Sequence, residues 1–95
     1  MAEPLSGGTT TLGSTASLLD SSSVPMRQII IHAHLGTDEV SIGNSDVTAD
    51  DRTGFVDGGG EFKFGPFEPG IGIRPNGIYL LGTAGQRVTW SGVPS

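Results

Sequence analysis

The sequence predicts an all-β chain: a small antiparallel β-sandwich or jelly-roll-like barrel over residues 16–95, preceded by an extended N-terminal arm of residues 1–15. Three observations predict it. Apolar side chains fall in strand-length runs that alternate with polar ones, the period of a strand with one buried face. Turn-forming clusters separate those runs at spacings of roughly 8–12 residues, as in sandwiches and small barrels. No stretch places apolar residues at the 3.6-residue period of a helix.

Residues 1–15 are mainly Gly, Ser, Thr and Pro, with Leu5 and Leu12 as the large apolar side chains. Such a segment is expected to be disordered alone and ordered only when a neighbour captures it. A short strand follows over residues 16–19 and ends at the polar corner Asp20-Ser21-Ser22-Ser23. The next strand, residues 27–35, places Ile29, Ile31, Ala33 and Leu35 on one face and Ile30, His32 and His34 on the other. Gly36-Thr37-Asp38 has turn chemistry, because Gly permits unusual backbone angles and Asp can bond the chain two residues on. Residues 39–42 alternate polar and apolar as a half-buried strand, stopped by Gly43-Asn44-Ser45-Asp46.

Residues 48–60 read as an acidic, Gly-rich loop docked by Phe55 and Val56. In residues 61–67, Phe62, Phe64 and Phe67 are expected to face inward and Lys63 outward, with Pro66 and Pro69 confining the strand to an edge or a bulged position. A short extended piece over residues 70–73 leads to Arg74-Pro75-Asn76-Gly77, where Pro presets a turn and Asn-Gly supplies positive φ. Residues 78–83 and 87–91 are two strands joined by Ala84-Gly85-Gln86, expected to form a hairpin.

Composition narrows the function. Ninety-five residues make one domain near the lower size limit for an adequate core, so association with copies of itself or a larger partner would stabilise it. The net charge of −5 and five dispersed basic residues (Arg27, Arg52, Lys63, Arg74, Arg87) argue against a nucleic-acid partner. The chain has no cysteine, which excludes disulfides and thiolate metal sites. No apolar run approaches the ~20 residues of a membrane helix, so no membrane partner is expected. The opening MAEPLSGGTT lacks the basic and apolar regions of a secretory signal.

The chemistry-bearing residues do not assemble into a motif. His32 and His34 are spaced to share a metal on one strand face, but zinc needs a further ligand, and nothing places Asp38, Glu39 or Asp46 there. Asp46, Asp50, Asp51, Asp57 and Glu61 could offer calcium oxygens, yet Asp50-Asp51-Arg52 breaks the alternation that a calcium loop requires. Neither Gly58-Gly59-Gly60 nor Gly70-Ile71-Gly72 is followed by the Gly-Lys-Ser/Thr of a phosphate loop. Asp46 and Glu61 are the kind of carboxylate pair any acidic protein offers. No nucleophile, base and orienting group can be named together, so no enzyme activity, catalytic residue, metal or cofactor is assigned. Trp90, Tyr79 and the phenylalanines could line a carbohydrate groove, but in so small a chain they are more economically core.

Three segments together resemble small virion proteins of tailed bacteriophages. GSTASLLDSSSVPMRQIIIHAH is similar to their first strand, polar corner and long second strand. EVSIGNSDVTADD is similar to their strand and corner of glycine, x, serine, aspartate, valine, threonine. GIYLLGTAGQRVTW is similar to their closing hairpin. The resemblance spans roughly residues 13–91; the acidic Gly-rich middle loop and the aromatic FKFGPFEPG depart from it. It implies a β-sandwich on the outer capsid surface of the virion, a decoration (cement) protein that binds the major capsid protein and stabilises the head, often as a homotrimer. The arm would then lie across an adjacent subunit, and removing residues 1–14 would leave the domain folded. Leu5, Leu12, His32, His34 and Trp90 are the expected interface residues. Edge strands limited by Pro and Gly would avoid uncontrolled pairing while leaving selected edges for partners. A neck, tail or baseplate component is the alternative within the virion, and a carbohydrate-binding module using Trp90 or Tyr79 the alternative outside it.

Overall fold

A computed structural model describes residues 6–34, 38–48, 50–68 and 72–94. The chain forms β1 (Ser6–Thr11), β2 (Ser17–Leu18), β3 (Met26–Ala33), β4 (Val40–Gly43), β5 (Gly54–Val56), β6 (Glu61–Phe64), a 3-10 turn (Pro75–Gly77), β7 (Tyr79–Leu81) and β8 (Arg87–Pro94). These make two four-stranded sheets, β1-β8-β3-β6 and β2-β7-β4-β5, and all pairings are antiparallel. The predicted all-β sandwich is the observed fold. The order is that of a double-sheet jelly roll, in which most consecutive strands alternate between layers.

The core lies between the sheets and follows from strand alternation. In β3, Ile29, Ile31 and Ala33 are buried, while His32 is exposed and Ile30 half-buried, as the sequence pattern requires. Val88 and Trp90 extend that inner face across β8, opposite Val40 and Ile42 of β4 and Leu80 of β7. Each large side chain so buried contributes about 1.5–3 kcal/mol relative to exposure. Phe62 and Phe64 pack against the margin of this core with their rings edge-on, 5.2 Å apart, while Lys63 points outward. β6 is an edge strand, as its flanking prolines imply.

Four expectations are corrected. First, the described part of the N-terminal arm is not free. Residues from Ser6↔Gly92 to Thr11↔Arg87 pair in unbroken register as β1 with β8, and Leu12, expected at an interface, is buried in the core at 3% exposure. Three threonines suit an extended backbone, and the Thr10 hydroxyl donates to the Leu19 carbonyl at 2.6 Å, anchoring the strand across the layers. Leu5 lies outside the described residues.

Second, the last two strands are not a hairpin. β7 pairs with β2 and β4, whereas β8 pairs with β1 and β3, so that Leu80 and Trp90 enter the shared core from opposite layers. The connecting turn uses Gly85 at φ +90°, a left-handed value that favours glycine. It is pinned to the end of β1 by Gly85 N–H donating to the Leu12 carbonyl and Leu12 N–H to the Gln86 carbonyl.

Third, Pro75–Gly77 is a 3-10 turn without positive φ, with Pro75 at its start where a missing N–H costs nothing. Fourth, the 48–60 region contains β5, whose Val56 is buried as expected while Phe55 is 47% exposed.

Candidate interaction surface

The outward-facing residues of the first sheet line up across all its strands. Register places Thr9 of β1 beside Thr89 of β8, Thr89 beside His32 of β3, and His32 beside Glu61 of β6. Neighbours in the row bond laterally. The Thr9 and Thr89 hydroxyls are 3.4 Å apart, His34 Nε2 lies 2.7 Å from Thr89 Oγ1, and His32 Nε2 lies 3.5 Å from Glu61 Oε2. Lys63 Nζ approaches the other Glu61 oxygen at 3.5 Å. The two histidines share a face, as alternation dictates, but one turns to Thr89 and the other to Glu61, so their imidazoles have separate partners. Below this row Gln28, Ile30, Ser91, Gly92 and Val93 line a shallow, mainly apolar hollow of about 220 Å³.

The outer face of the second sheet has a different character. Leu18, Tyr79 and Gly43 share one register row, and Leu81, Ser41 and Phe55 another. Arg52 lies over the Phe55 ring, 4.4 Å from its centroid, and also donates to Ser41 Oγ at 3.2 Å and to the Glu39 carboxylate. This cover explains why Ser41 is buried at 4% exposure despite its outward position in an alternating strand. No local pattern announces this cover, since Arg52 sits in an acidic loop 11 residues away.

The other sequence candidates separate. Asp46 and Asp51 line a polar hollow beside Arg52, whereas Glu61 stands on the opposite sheet, so neither a carboxylate pair nor a calcium loop is brought together. Trp90, named as an interface residue and, in the alternative reading, as part of a sugar groove, is buried at 3% exposure, as the economical reading of the aromatics as core has it. Its indole Nε1 donates to Asp20 Oδ2 at 3.3 Å, satisfying the one polar atom of an otherwise apolar ring. Tyr79 is half-buried. Of the expected interface residues, therefore, His32 and His34 stand on an outer face while Leu12 and Trp90 are interior.

The arrangement offers two broad sheet faces, one polar and laterally bonded, one apolar with an arginine lid. Such faces suit contact with another macromolecule; among the described residues no three His, Asp or Glu side chains are grouped to hold a metal. No family model matches the chain, and neither the curated proteins nor the solved structures give a match.

Proposed function

We propose that the chain is a structural virion protein of a tailed bacteriophage, a decoration protein on the outer capsid surface that binds the major capsid protein. One observation carries the reading. The VSIG strand before the GNSDVT corner and the YLL strand of the closing segment, two of the segments behind the resemblance, are direct neighbours, with Ile42 opposite Leu80 and Gly43 opposite Tyr79. Segments far apart in sequence thus form one structural unit, as a shared scaffold requires. Jelly rolls also recur among viral capsid and lectin domains, which agrees with the reading.

Mechanistically, the domain acts as a clamp. Its core supplies rigidity, and its outer faces supply contacts to adjacent capsid subunits, so that each bound copy resists their separation. Binding only to the assembled shell stabilises that shell by mass action. The test is a reconstruction of the particle that carries the chain, together with co-sedimentation of purified protein with capsids stripped of it. Many copies distributed over the head shell, with saturable binding to stripped heads, are expected. A small ring at the neck, tail or baseplate would instead assign the alternative virion role, and absence from the particle would overturn both.

A further inference from the structure

The Asn76-Gly77 pair has no backbone task in this fold. Among the described residues, positive φ occurs at Gly59, Gly65 and Gly85 and not at Gly77. A side chain at position 77 would meet nothing within 4 Å, so no close approach requires glycine there either. What glycine does leave is a bare amide nitrogen, one residue beyond an asparagine side chain. Held in one chain, these two groups can react without a diffusional encounter.

Asn76 and Gly77 are both exposed and border an open hollow of about 480 Å³, which Arg74 also lines. Among the described residues no hydrogen bond holds the Asn76 side-chain amide. The restraint is in the backbone. Gly77 N–H donates to the Arg74 carbonyl at 3.0 Å, and Asn76 N–H to the Ser22 carbonyl at 3.0 Å. A helical turn keeps the following nitrogen turned away from the side-chain carbonyl carbon, so the two meet only when the turn opens. A single three-residue turn on the surface opens locally, without global unfolding. Asn44, the chain's other asparagine, is also exposed, but the following Ser45 shields its nitrogen with a side chain.

We propose that Asn76 is a site of spontaneous succinimide formation, gated by opening of the Pro75–Gly77 turn. In the open turn the Gly77 nitrogen attacks Asn76 Cγ. The N–Cγ bond forms, the Cγ–Nδ2 bond breaks, and the leaving amine departs as ammonia with the proton that Gly77 N gives up. Arg74 lines the same hollow, so the negative charge that builds on the Asn76 side-chain oxygen does so in the field of a cation. Water, the one co-reactant, then adds to either ring carbonyl. Cleaving the N–Cγ bond gives aspartate; cleaving the bond to the main-chain carbonyl carbon gives isoaspartate. Isoaspartate routes the chain through Cβ and Cγ and adds one atom between Asn76 Cα and Gly77 N. The bond from Ile78 N–H to the Pro75 carbonyl spans that link. Ile78 is buried at 2% exposure, and its carbonyl accepts the Leu19 N–H at 2.9 Å. The added atom therefore acts where the chain enters β7 and meets the corner after β2. This inference rests on the turn alone and is independent of the virion reading.

The test is to age the full chain at neutral pH, folded and in guanidinium, and to follow both asparagines by peptide mapping with mass spectrometry. In the folded chain, aspartate and isoaspartate are expected to accumulate at Asn76 ahead of Asn44. Guanidinium should speed the change at Asn76 by the factor that protects the Gly77 amide from hydrogen exchange in the fold. The isoaspartyl form, separated by its extra negative charge, should exchange faster than the fresh chain at the Gly77 and Ile78 amides. Gly77→Ala meets open space at a φ that alanine adopts. It is expected to keep the circular-dichroism spectrum and to lose most of the modified peptide. The comparison of Asn76 with Asn44 needs no variant, should Gly77→Ala fail to fold. Equal accumulation at the two asparagines in the folded chain, a rate at Asn76 that guanidinium leaves unchanged, or undiminished product in a folded Gly77→Ala chain would each overturn the proposal.

Discussion

The indole of Trp90 in β8 reaches across the sandwich to the carboxylate of Asp20, 3.3 Å away, in the corner that follows β2. The other oxygen of Asp20 accepts the Ser22 N–H at 2.9 Å, so one side chain both shapes the corner and holds it to the opposite sheet. A buried donor left without its acceptor costs about 1–3 kcal/mol. Trp90→Phe and Asp20→Ala are each expected to lower stability to urea. In a double-mutant cycle their coupling should reach about 0.5 kcal/mol or more, the scale for directly interacting side chains. Strict additivity would mean that the bond contributes nothing to holding the layers together.

The placement of β1 changes what truncation should do. Removing residues 1–12 deletes an entire strand of the first sheet together with the buried Leu12. Leu12→Ala alone is expected to cost about 2–5 kcal/mol, against a total stability of about 5–15 kcal/mol for an ordinary domain. The truncated chain should therefore lose its cooperative thermal transition, whereas deletion of residues 1–5 should leave β1 and Leu12 in place and retain it. A truncated chain that melts like the full one would return β1 to the status of a dispensable arm.

This strand also marks the limit of what the residues reveal unaided. β3 was legible because Ile29, Ile31 and Ala33 alternate with Ile30, His32 and His34, and burial follows that alternation. β1 has no such pattern: its inward positions are Gly8 and Thr10, which carry no apolar signal, and Thr10 is accommodated by a bond to the Leu19 carbonyl. That acceptor belongs to another part of the chain. The same holds for β7 and β8, whose short connection resembles a hairpin although their partners lie in different sheets. His32 and His34 were placed correctly on an outer face by period alone. Aromatic economy points Trp90 to the core while the resemblance points it to an interface, and nothing local announces its pairing with Asp20, 70 positions away.

Phe62 and Gly54 are matched where β5 and β6 pass from one sheet to the other. A methyl group on Gly54 would lie 2.2 Å from the Phe62 ring, closer than any real contact. Gly54→Ala is accordingly expected to destabilise by about 1–3 kcal/mol through overpacking. Replacing the ring in the same chain, as Gly54→Ala with Phe62→Leu, should cost less than the sum of the two single changes. Denaturant midpoints for the four chains check this, and a double variant at or below the additive value would place the clash elsewhere.

Arg52 joins an ion pair with Glu39, a hydrogen bond to Ser41 and a stack on Phe55, and salt can separate these. An exposed ion pair contributes about 0–1 kcal/mol, and at 1 M salt the screening length falls to about 3 Å. A cation over an aromatic face contributes a further ~0.5–1 kcal/mol, with close contact that screening reduces less. Arg52→Lys keeps the charge but loses the planar guanidinium that lies on the ring. It is expected to destabilise the fold by up to about 1 kcal/mol, with most of the loss persisting at high salt. The Arg52–Phe55 coupling measured with Phe55→Ala should likewise survive in 1 M sodium chloride, whereas the Arg52–Glu39 coupling measured with Glu39→Gln should shrink toward zero. If both couplings collapse together, the lid over Ser41 is held by charge, and the stack on Phe55 adds nothing of its own.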